Sequence, residues 1–149
     1  MARILIVDDD PSTIELLELN FTLDGHEVLV ARDGLDAQQV ATERAPDAVL
    51  LDVMMPRLDG FTLCERLRAV PGTATIPILF VSACAQPSDL ARGRRAGASD
   101  YVTKPFDPIG LVRRVEQLLA TGHSASAASS SSGSSPTGSS PTGTEEAAG

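Results

Sequence analysis

With no tryptophan, one tyrosine and four phenylalanines, the chain is only 3% aromatic although 42% of it is hydrophobic. Its core must come from Val, Leu, Ile and Ala, which favours layered helices and strands over an aromatic-rich sandwich. Cysteine is equally scarce. Cys64 and Cys84 lie in apolar stretches with no Cys or His at metal-ligand spacing, and read as core thiols in a reducing compartment. No segment approaches the roughly twenty apolar residues of a membrane span, and the run Ile4 to Val7 is too short for a signal peptide. A cytoplasmic protein with no membrane contact is the expectation. Positive charge is also short, with twelve basic residues against twenty acidic ones and a net charge of −8. Such a chain is repelled by polyanions, which argues against direct nucleic-acid binding. The group Arg92, Arg94, Arg95 reads as one solvated helix face.

The 149 residues suit one domain with a tail. Apolar runs of strand length alternate five times with segments of helical period, the pattern of a parallel sheet with crossover helices on both faces. Strands are expected at Arg3–Val7, Glu27–Ala31, Ala48–Leu51, Ile78–Ser82 and Tyr101–Thr103. The first helix carries Ile14, Leu17 and Phe21 on one stripe and stops at Gly25; the second runs from about Gly34 to Arg44 and stops before Pro46. The third starts near Gly60, buries Cys64 and Leu67, and breaks at Pro71-Gly72. The fourth runs from about Ser88 to Gly97, and the fifth from about Pro108 to Ala120 with Leu111, Val115, Leu118 and Leu119 inward. Residues 1–122 thus form the domain. Residues 123–149, with ten serines and the repeat SSPTG at 134–138 and 139–143, offer too little apolar surface to offset chain entropy and are expected to be disordered.

In a doubly wound parallel sheet, ligands bind beyond the carboxyl ends of the strands. There the first strand runs into Asp8-Asp9-Asp10, the third into Asp52, the fourth ends in Ser82, and the fifth runs into Lys104-Pro105. Carboxylates gathered at one edge repel each other and call for a cation, and an oxygen-only donor set points to magnesium. Lys104 is the one lysine, a compact point charge where every other basic position uses arginine. Each residue has a plainer alternative. Asp10 before Pro11 suits a helix cap, and Asp8 or Asp9 could cap as well. Asp52 could be a loop residue, Ser82 a turn residue, Lys104 a surface charge and Tyr101 a half-buried strand tyrosine with a wet hydroxyl.

The blocks ILIVDDD at 4–10, LLDVMMPRLDG at 50–60, VSA at 81–83 and AGASDYVTKPF at 96–106 resemble the receiver domain of two-component response regulators over roughly residues 2 to 120. The resemblance implies a flavodoxin-like five-stranded sheet in order 2-1-3-4-5 with five helices. It implies that Asp52 is the phosphoacceptor, that Asp8, Asp9, Asp52 and the backbone carbonyl of Met54 hold magnesium, and that Ser82 and Lys104 contact the phosphoryl group. The Lys104-Pro105 bond would be cis and Tyr101 would switch rotamer as Ser82 moves. The phosphodonor would be a sensor histidine kinase or phosphotransfer protein, and the output a partner protein or second receiver docking on the face of helix 4, strand 5 and helix 5. The protein would be no enzyme beyond its own phosphorylation and dephosphorylation. Met54 and Cys84, two beyond the phosphoacceptor and two beyond the hydroxyl, would line the approach of the hydrolytic water.

Two relatives of similar chemistry or topology fit worse. A flavin-binding protein needs a phosphate loop where this chain has three aspartates, and a haloacid-dehalogenase-type phosphatase needs an Asp where Met54 stands. A stand-alone module is the favoured use, because no basic helix-turn-helix segment is present; the alternative is the isolated receiver of a longer DNA-binding transcriptional regulator.

Overall fold

The computed structural model describes residues 1–121, so the expected tail at 123–149 lies outside the described residues. Five parallel strands, β1 (Arg3–Val7), β2 (Glu27–Ala31), β3 (Ala48–Leu51), β4 (Ile78–Ser82) and β5 (Asp100–Thr103), form one sheet in the order β2-β1-β3-β4-β5. Five helices, α1 (Pro11–Leu23), α2 (Gly34–Arg44), α3 (Gly60–Ala69), α4 (Pro87–Ala96) and α5 (Pro108–Ala120), connect them. Expected and observed bounds differ by one residue at β5, which takes in Asp100, and at α4, which begins on Pro87 because the ring's fixed φ suits a first helical position.

The alternation of side chains along each strand divides the core in two. Leu5, Val7, Val49, Leu51, Ile78 and Phe80 face Ala37 and Ala41 of α2, Phe61, Cys64 and Leu67 of α3, and Ala96 of α4. Ile4, Ile6, Leu50, Leu79 and Val81 face Ile14, Leu17 and Phe21 of α1 and Leu111, Val112, Val115 and Leu118 of α5. Each fully buried side chain of this size contributes roughly 1.5–3 kcal/mol, so the central strands have no solvent-facing side to spare. On α5, Val112 is buried where Leu119 was expected, and Leu119 packs only partly against the cluster.

Aspartates start four of the helices. Asp10, Asp33, Asp59 and Asp107 accept the backbone N–H of Ser12 (3.2 Å), Asp36 (2.8 Å), Thr62 (3.0 Å) and Gly110 (3.2 Å), each satisfying an amide that the helix itself leaves open. At the amino ends of the strands, Arg68 from α3 donates to the carbonyls of Gly97 (2.9 Å), Thr73 (3.3 Å), Ala74 (3.2 Å) and Ile76 (2.6 Å). Burial of its guanidinium lowers its pKa from the usual value. Among the described residues no helix is long and apolar enough to cross a membrane.

The two thiols are not equivalent. Cys64 is buried and donates to the carbonyl of Ala96 (3.3 Å), and burial pushes its pKa up to about 12. Cys84, expected in the core, is only half-buried, because it sits in the β4–α4 loop and only one side of it meets the core. A thiol reagent at mild pH should therefore modify Cys84 alone in the native protein and both cysteines in denaturant. Two modified thiols in the native state would contradict the packing of α3.

Candidate functional site

The register that aligns Val7 with Leu51 and Ser82 with Thr103 delivers the next residues to one rim. Asp8 and Asp52 follow β1 and β3, Ser82 ends β4, and Lys104 follows β5. Their backbones stay tied to the sheet: the N–H of Asp8 donates to Ala31 (3.1 Å), that of Asp52 to Val7 (3.0 Å), and that of Lys104 to Ser82 (2.9 Å). The Lys104-Pro105 peptide bond is cis.

Asp8, Asp9 and Asp52 each offer a carboxylate oxygen, and these lie within 4.8 Å of one another. Asp8 and Asp52 are buried, while Asp9 is exposed. The Lys104 ammonium bridges the two buried ones, 2.9 Å from Asp8 and 3.5 Å from Asp52. Burial pushes the Asp8 carboxyl above its ordinary pKa and the Asp52 charge adds to this, against the Asp10 N–H and Lys104, which pull it down. Burial alone would lower Lys104, but the hydrogen bond it donates to Asp8 and the charges of both aspartates hold it above the usual value. Three carboxylates thus gather at the rim with one ammonium on two of them, an arrangement whose oxygen donors suit a hard divalent ion. Asp10 does not join them. It caps α1, with Thr13 also donating to it (2.8 Å).

The loop from Asp52 to Gly60 closes the other side. Its return depends on Gly60, whose N–H donates to Val53 (2.9 Å) and where a Cβ would lie 2.1 Å from the Asp52 carbonyl oxygen. Arg57 holds a left-handed conformation (φ 68°) and its guanidinium meets the Asp33 carboxylate at 3.0 Å, which ties the loop to the start of α2. Met54 lies in this loop with its side chain 68% exposed.

Ser82 is buried, and its Oγ accepts the N–H of Cys84 (3.1 Å). Tyr101 is half-buried; its hydroxyl donates to the carbonyl of Cys84, and its ring lies 5.5 Å from that of Phe80. Burial raises the Tyr101 phenol, with the Ser82 hydroxyl beside it pulling the other way. The wet hydroxyl that the plainer reading would give this tyrosine is replaced by a protein acceptor. Arg92, Arg94 and Arg95 are all exposed as expected, and Arg92 in addition lies over the Phe61 ring at 4.5 Å. The contacts of Arg92 with Phe61, of Arg57 with Asp33 and of Arg68 with Gly97 left no signal in the sequence, because each joins residues far apart along the chain.

A family model described as the response regulator receiver domain matches residues 4–116. The DNA-binding dual master transcriptional regulator RpaA of a Synechocystis strain is 45% identical over 119 residues, 80% of this chain and 49% of RpaA, so the chain spans about half of that relative. Protein PilH of Pseudomonas aeruginosa is 41% identical over 120 residues, 80% of this chain and 99% of PilH. Among solved structures, the receiver domain of the Pseudomonas aeruginosa sensor histidine kinase PA1611, with a magnesium ion coordinated in its active-site cleft, superposes with a TM-score of 0.75 at 30% identity, over 80% of this chain and 98% of that one. The match of family model, sheet order and sequence over four-fifths of the chain places the protein in the receiver-domain family of two-component response regulators.

Proposed function

We propose that Asp52 accepts a phosphoryl group from the phosphohistidine of a sensor histidine kinase or phosphotransfer protein, in a reaction dependent on magnesium. The observation that carries this reading is the meeting of Asp8, Asp9 and Asp52 within 4.8 Å of one another, with the Lys104 ammonium on Asp8 and Asp52. Asp8, Asp9, Asp52 and the backbone carbonyl of Met54 would hold the metal, whose contribution is to neutralise charge on the phosphoryl oxygens. A carboxylate oxygen of Asp52 attacks phosphorus in line as the phosphorus–nitrogen bond breaks and the imidazole leaves. Lys104 moves its positive charge from the two carboxylates toward the transferred group, and Ser82, whose Oγ already accepts one hydrogen bond, donates its O–H to it. The protein is then a phosphoacceptor acting on itself and not a turnover enzyme.

The output follows from Ser82 and Tyr101, which meet at the Cys84 backbone. Phosphorylation would change the face of α4, β5 and α5, where exposed Arg92, Arg94, Arg95 and Arg113 suit an acidic partner or a second receiver. The likeness over 99% of PilH supports a stand-alone module; the likeness to RpaA supports the receiver of a longer DNA-binding regulator.

Incubation with acetyl phosphate and magnesium should add one phosphoryl mass at Asp52 and none to Asp52→Asn; a modification retained in that variant contradicts the assignment. Because burial and the Asp52 charge raise the folded pKa of Asp8, its ionisation costs stability that is present at low pH and lost as pH rises through that value. Magnesium at neutral pH should restore it, by roughly 2.7 kcal/mol at about a hundred times its dissociation constant. A melting temperature indifferent to millimolar magnesium counts against the site.

The phosphoryl group should be long-lived. Met54 and Cys84 flank the approach to Asp52, and a thioether and a thiol are poor hydrogen-bond partners for a hydrolytic water. Combining Met54→Asn with Cys84→Glu should speed decay, by about five-fold for each kcal/mol removed from the barrier. Equal decay rates for the two proteins after removal of the donor would show that these positions do not set the lifetime.

A further inference from the structure

α4 buries only two of its residues, Gly93 and Ala96. Glycine weakens a helix interior relative to alanine, so its presence on the one face that α4 turns inward has a cost in helix stability. The surroundings show what it permits. A Cβ at position 93 would stand 3.0 Å from Cδ2 of Tyr101 and 3.3 Å from Cδ2 of Phe80, closer than packed carbons sit. The Tyr101 ring therefore occupies a notch made by the missing side chain, with Phe80 as its floor and the Cys84 carbonyl at its hydroxyl end. On the far side of Phe80 the stack continues to Phe61 (5.2 Å between ring centres) and Arg92 (4.5 Å from the Phe61 ring), which immediately precedes Gly93 on the same helix.

We propose that Gly93 is the positioning residue of the Tyr101 ring: its absent side chain lets the ring lie beneath α4 with the hydroxyl on the Cys84 carbonyl, and a side chain there pushes the ring from that place. The push loosens the link from Tyr101 to the loop whose Cys84 N–H donates to the Ser82 hydroxyl. This last step rests on the proposed role of Ser82 and Tyr101; the notch itself does not. A methyl group at position 93 thus shifts the ring without touching Asp52, Lys104 or the acidic cluster.

The chain's own composition supplies the probe, since Tyr101 is its one tyrosine and no tryptophan is present. Ultraviolet emission of the full chain comes from that ring alone. In Gly93→Ala, acrylamide should quench the emission more strongly than in wild type, approaching free tyrosine, with no phosphodonor present. Gly93→Ala should also raise the melting temperature more in a Tyr101→Ala background, where the methyl group fills vacated space, than in the presence of the ring. Folding of Gly93→Ala only when Tyr101 is removed would support the notch equally. Unchanged quenching, or an equal shift of melting temperature in both backgrounds, overturns it. With beryllofluoride and magnesium, wild-type emission should change and that of Gly93→Ala should respond less. No response in wild type would defeat the reading of Tyr101 as a switch, while the notch is decided by quenching and the double-mutant comparison.

Discussion

The rim of the sheet is governed by the crowding of Asp8, Asp9 and Asp52, two of which share the Lys104 ammonium. At an effective dielectric of about 20, two unit charges about 4 Å apart interact by about 4 kcal/mol, a large part of the 5–15 kcal/mol by which a domain is stable. Lys104 alone leaves an excess of negative charge among these groups. Strands buried on both faces fix the register, and the register brings Asp8 and Asp52 to the same rim.

Aspartate serves this fold in two distinct ways. Asp10, Asp33, Asp59 and Asp107 start helices, and Asp33 also anchors Arg57. Four carboxylates thus work as caps, three gather in the cleft, and the sequence writes all seven with the same letter. Only position relative to the strand ends separates the two uses. At Asp10 the following proline decided the matter; at Asp8 and Asp9 it took the geometry.

Strands and helices were legible because two periods, of two and of 3.6 residues, are written into local sequence. Their bounds missed only where Pro87 and Asp100 added a residue. The rim residues were legible because strand ends are where such sheets place ligands. What stayed hidden depends on through-space approach: the half-burial of Cys84 in its loop, the stacking of Arg92 on Phe61, the left-handed Arg57 and the notch at Gly93. A glycine inside a helix and an arginine among arginines carry no local sign of the ring they will touch.

The arginine at the opposite end of the sheet has a mechanical meaning. Arg68 reaches the segment before β4 and the segment before β5 with one guanidinium, donating to four carbonyls that a single ammonium could not all serve. The amino ends of these two strands are thereby stapled to α3, while at their carboxyl ends β4 closes on Ser82 and β5 runs into Lys104. With one planar guanidinium holding both strand entries, the spacing of β4 and β5 at that edge is set by the geometry of a single rigid group.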